Sequence, residues 1–189
     1  MILNGKVNGD DITVVAGKVE SYADGVISVG GAEYTVTEKV AERLSKQKDL
    51  KGSVIMTEVT EDGVRSFKRN GMYTLETQGE KADGTPVTNY LKIFTGQIRN
   101  FKRIERDDKA PFARGTISFP IWHNKDGKWS SETMNADIYF FGDIVDEKCQ
   151  ELAENLEQTI TVVTRRRVLG DDDNRKAIYV VVDDGLYLY

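Results

Sequence analysis

The chain has 189 residues, 39% of them apolar, which suffices for one large domain or two small ones with packed cores. No apolar run approaches the roughly 18 residues that span a bilayer, and the opening MILNGKVNGDD lacks a charged region followed by an apolar stretch, so a soluble cytoplasmic protein is expected. The single cysteine, Cys149, has no partner for a disulfide or a thiolate metal site, and the net charge of −5 gives no overall basic footprint.

In chain order, ITVVAGKVES, GVISVGG and AEYTVT read as strands. EKVAERLSKQKD then carries a helical pattern, and GSVIMTEVTEDG with FKRNGMYTLET reads as a closing hairpin. The Gly, Asp and Pro of GEKADGTPV signal a loop or short linker, which divides the chain into domains 1–85 and 86–189. The second half runs NYLKIFTGQIRN, ARGTISFPIW and NADIYFFG as strands, DIVDEKCQELAENL as a helix, then TITVVTRR and KAIYVVV as strands. Three strands, a helix and two strands is the element order of an OB barrel, a fold that often holds single strands or oligosaccharides on its second and third strands. ITVVAGKVES parallels LKIFTGQIRN, with Gly17 matching Gly96, and the spacing from Leu44 to Val54 equals that from Leu152 to Val162. The expected fold is therefore all-β with one short helix per domain, as tandem OB-fold-like five-stranded barrels.

Charge is unevenly distributed. From Asn89 to Trp129 there are nine Lys or Arg against four Asp or Glu, a local excess of five positive charges that the later helix and C-terminal end offset. Strand alternation places Ile117, Phe119 and Ile121 inside, as it does Ala136, Ile138 and Phe140. One outer face then combines Lys92, Phe94, Arg114, Trp122, Tyr139 and Phe141. Cations beside exposed rings suit unpaired bases, because phosphates need positive charge and each base stacked on a ring gains about 1–3 kcal/mol. The same rings would equally suit burial against the other half or a second subunit.

The second half resembles the bacterial and phage single-stranded DNA-binding proteins over about 100 residues, 88–184. The family's glycine-ended first strand, tryptophan hairpin and aromatic-glycine end of the third strand are matched by IFTGQI, FPIWHNKDGKWSSE and IYFFGDI. The resemblance implies base stacking on Phe141 and on Trp122 or Trp129. It also implies a homodimer, since relatives with two OB domains in tandem pair to assemble four. Two features depart from the pattern. Met134 or Asn135 stands where the third strand usually opens on tryptophan, and VDDGLYLY has no counterpart of the family's long acidic-tipped tail, so partner recruitment through a tail is not expected.

Catalytic and metal chemistry finds little support. His123 is the lone histidine, and no phosphate loop, nucleophile elbow or Cys–His pair is present. The acids at 171–173 suit Mg2+ but sit beside Gly170, where a hairpin tip favours Asp for turn reasons. The expected function is nonenzymatic, cofactor-free, sequence-independent coating of single-stranded DNA in replication or recombination, for a phage or another mobile element. Lys92, Arg99, Lys102, Arg103 and Arg114 would track phosphates with Lys125, Lys128, Arg165 and Arg167, and Phe94, Trp122, Trp129, Tyr139 and Phe141 would stack bases. The alternatives are a structural or protein-interaction module whose aromatics form an oligomer interface, and an RNA-binding OB protein, because stacking does not report the 2′-hydroxyl.

Overall fold

The computed structural model describes residues 1–47, 50–154, 156, 158–170 and 175–189, and the element order expected from the sequence is present in both halves. The chain packs as two units, one of residues 1–70, 75–89 and 189, the other of 71–74 and 90–188.

The first unit contains β1 (Ile2–Val7), β2 (Asp10–Ala23), β3 (Val26–Val29), β4 (Ala32–Thr35), α1 (Glu38–Ser45), β5 (Val54–Thr60) and β6 (Gly63–Lys68). β2 pairs antiparallel with β3 and with β5, β3 with β4, and β5 with β6. A parallel bridge between Val36 and Val64 closes the ring. This is the OB strand order. Its core joins Val15, Val19, Ile27, Val29, Ile55 and Phe67 to Val40 and Leu44, the i,i+4 pair that α1 turns inward. The Thr37 hydroxyl, at the helix start, donates to the Val64 carbonyl instead of capping the helix. β1 was not anticipated: it lies along β2 from Ile2 opposite Val15 to Val7 opposite Asp10.

A hairpin of β7 (Gly71–Glu80) and β8 (Pro86–Ile104) follows. The loop signal falls on its turn, where the Thr85 amide donates to the Asp83 carboxylate.

In the second unit β8 is succeeded by β9 (Phe112–Lys125), β10 (Lys128–Phe141), α2 (Ile144–Glu147), α3 (Cys149–Glu154), β11 (Thr159–Leu169) and β12 (Lys176–Leu188). β8 pairs with β9 and β11, β9 with β10, and β11 with β12, all antiparallel, and β10 with β12 in parallel. The ring is again a closed OB barrel of five strands. Phe94, Ile98, Ile117, Ile138, Phe140, Leu152, Ile160 and Val162 fill it. The expected single helix is two short ones, interrupted at Lys148, whose backbone leaves the helical region at φ −121°. Together they still bury Ile144, Val145, Cys149 and Leu152. Burial raises the Cys149 thiol to about 11, so it stays protonated at neutral pH.

The repeated glycines are equivalent in place. Gly17 lies opposite Ile55 in the first barrel and Gly96 opposite Ile160 in the second. At each, the barrel's first strand passes close to other backbone: a Cβ on Gly17 would come within 3.0 Å of Gly30, and one on Gly96 would overlap the Ser118 carbonyl oxygen. The matched spacing of Leu44–Val54 and Leu152–Val162 is not an equivalence, because Val54 faces Lys18, beyond the glycine, while Val162 faces Phe94, before it. Gly96→Ala is expected to lower stability by about 1–3 kcal/mol, the usual range for overpacking. Urea unfolding checks this, and an unchanged midpoint would mean that the crossing is looser than described.

Candidate nucleic-acid interface

β9 and β10 form one long ribbon whose register runs unbroken from Phe112 opposite Phe141 to Lys125 opposite Lys128. Asp126 and Gly127, at φ 53° and 78°, make the two-residue turn that matches the twist of paired strands, and the Gly127 amide donates to the Asn124 side chain. Opposed residues share a face and neighbours alternate. One face of the ribbon therefore carries Phe112, Arg114, Thr116, Ser118, Pro120 and Trp122 beside Ser131, Thr133, Asn135, Asp137, Tyr139 and Phe141, with Trp129 next to the turn. Ala113, Ile117 and Phe119, with Ala136, Ile138 and Phe140, take the other face and enter the core. The inward and outward sets read from the sequence for these two strands agree with this burial.

The ring-bearing face has two aromatic stations. At the barrel end Phe112, Tyr139 and Phe141 lie nearly parallel, with interplanar angles of 10°, 17° and 12° and centroids 5.6–6.4 Å apart. The Arg106 guanidinium lies 5.2 Å from the Phe112 ring centre. At the tip, Trp122 and Trp129 are 57% and 68% exposed, within a stretch from Trp122 to Asn135 that is exposed throughout. Eight residues of strand, about 27 Å, separate Arg114 from Trp122. Phe112 and Arg106 were missed by the sequence reading. Phe112 has the same parity as Arg114 and would have been found by starting the strand one residue earlier.

The neighbouring strands add cations. Arg99 lies opposite Thr116 and Lys102 opposite Arg114, with a register shift between them. Among the described residues no carboxylate lies within ion-pair distance of Arg99, Lys102 or Arg114. Arg165 pairs with Val180, which pairs with Tyr139, so Arg165 and Arg167 share the outer side while Arg166, opposite Tyr179, has the other parity.

Several expected site residues stand elsewhere. Phe94 is 1% exposed and packs on Phe119 and Tyr179, so it is core and not a stacking surface. Lys92 shares that inward parity, is half-buried and donates to the Thr74 hydroxyl. The sequence placed both outside because Ile93 through Gly96 are buried on both faces of β8, which erases the alternation. Arg103 is held between Glu105 at 2.7 Å and Asp146 at 2.6 Å, which compensates its charge. Lys125 and Lys128 oppose each other beside the turn, on the face away from both tryptophans.

One anion lies on the ring-bearing face. Asp137 accepts from Lys176 at 2.6 Å and from the Thr116 hydroxyl at 3.4 Å. That hydrogen bond, then the carboxylate charge, holds Lys176 above the ordinary lysine range. Among the described residues no group of three His, Cys, Asp or Glu is placed to hold a metal ion, and no helix is long and apolar enough to cross a membrane. The acidic tip at 171–173 lies outside the described residues.

No protein-family model matches this chain, and no curated protein matches it. Among solved structures, it is similar to the small single-stranded DNA-binding protein from Streptomyces coelicolor, with a TM-score of 0.39 and 8% identity over 55% of this chain and 96% of that one. It is also similar to the single-stranded DNA-binding protein from Thermus aquaticus. A deletion variant of that protein gives a TM-score of 0.37 and 14% identity over 100% of this chain and 88% of that one. The wild-type form gives 0.36 and 10%, over 100% and 86%. These likenesses are distant, and the OB assignment rests on the strand pairing described above.

Proposed function

We propose that this protein binds single-stranded DNA on the outer face of its second barrel, stacking bases on Phe112, Tyr139, Phe141 and the two tip tryptophans while Arg99, Lys102, Arg114, Arg165 and Arg167 neutralise phosphates. The observation that carries this reading is the alignment of five aromatic residues on one face of one ribbon, with Arg99, Lys102 and Arg114, which no carboxylate among the described residues pairs, beside the three at the barrel end. The corresponding face of the first barrel supports a single site per chain. There Ser28 lies opposite Glu33, and the Glu20 carboxylate accepts from Ser28 and from the Gly31 amide, so that face is acidic and without rings. Coating of single strands in replication or recombination, by a cytoplasmic homodimer holding four barrels, is the setting that fits such a site.

A second reading has one observation in its favour. The tryptophan face of the tip is neutral, because Lys125 and Lys128 turn away from it, and an exposed apolar pair of this kind also suits a protein interface. Salt separates the two. Five phosphate contacts predict that log K falls against log salt with a slope of about −3.5, at about 0.7 per contact on a single strand. A slope near zero would favour the interface reading.

A further inference from the structure

We propose that the second barrel holds one base-reading recess that favours an exocyclic amine, cytosine above thymine or uracil, through the Asp137 carboxylate; this rests on the single-strand reading above. A recess of about 250 Å3 opens on the outer face, lined by Asn100, Arg114, Gly115, Thr116, Asp137 and Tyr139. The register shift between Arg99 and Lys102 displaces Asn100, at φ 52°, from the regular ladder. Gly115 supplies backbone to the lining, its Cβ direction taken up by Ile98 of the core. Tyr139 gives the recess a ring wall, and Arg114, opposite it, gives a cation.

Asp137 is the unexpected member. Lys176 compensates its charge, but a carboxylate still offers only acceptors, which a base amine can use and a phosphate, itself an acceptor, cannot. Its carboxylate accepts only, at about four lone-pair positions. Lys176 and Thr116 account for one contact on each oxygen, which leaves acceptor capacity. Cytosine presents an N4 amine donor where thymine presents the O4 acceptor. Cytosine therefore donates to Asp137, whereas thymine or uracil sets oxygen against oxygen. Stacking is largely tolerant of base identity, so a preference for cytosine over uracil that depends on Asp137 belongs to this recess.

The test compares fluorescently labelled oligo-dC and oligo-dU of equal length, uracil being used because it lacks the thymine methyl group. The wild-type protein is expected to bind oligo-dC about tenfold more tightly, the effect of one hydrogen bond to a charged group. In Asp137→Asn the two affinities should converge, because an amide can both donate and accept. Equal affinities in the wild type would overturn the proposal, as would an equal loss for both oligomers in Asp137→Asn, which is the signature of a prop acting through Lys176. Absence of binding by either oligomer at low salt would remove the single-strand reading together with the recess.

Discussion

Replacing Phe94 with alanine is expected to lower the stability of the protein by about 3–5 kcal/mol, the usual cost of deleting a buried phenylalanine. Its ring lies 5.2 Å from Phe119 of β9 and 5.0 Å from Tyr179 of β12, and Phe94 lies opposite Val162 of β11, so its removal leaves a cavity where four strands meet. Chemical denaturation measures the loss. At temperatures where the variant remains folded, its affinity for single strands should be close to wild type. The reverse result, unchanged stability with weakened binding, would return Phe94 to the surface and shift the register of β8 by one residue.

Changing Trp122 and Trp129 together to alanine is expected to weaken binding to oligo-dT by about 2–6 kcal/mol, at 1–3 kcal/mol for each stacked base. The melting temperature should hardly move, because both rings are largely exposed on a ribbon whose pairing does not depend on them. Anisotropy of a labelled oligonucleotide gives the affinity, and sedimentation of the same variant gives its assembly state. Unchanged affinity accompanied by loss of self-association would assign the tip to a protein interface.

The parts of this architecture that were legible in the sequence are those with one buried face. In β9 and β10 apolar residues alternate with polar ones because one side enters the core, and the Asp126–Gly127 turn fixes the pairing between them. That turn also determines that Lys125 and Lys128 oppose each other and so point away from Trp122 and Trp129, an implication the composition of the hairpin obscured. β8 was harder, since it is buried on both faces around Phe94 and shifts register near Asn100. Neither feature leaves a period of two. Compensation of Arg103 by Asp146 joins residues 43 positions apart, and no local pattern announces it. β1 escaped notice because Ile2–Val7 mixes asparagine, glycine and lysine with its apolar residues and acts as an added strand outside the barrel order.

Titration with oligo-dT at low salt, followed by intrinsic tryptophan emission, tests the central claim most directly, because the only two tryptophans in the chain are Trp122 and Trp129. Single-stranded oligo-dT should quench the emission to saturation as bases stack on the rings, and duplex of equal length should compete poorly because its bases offer no free faces. Unchanged emission together with no gel shift at low salt would contradict the assignment of the second barrel to single-stranded DNA.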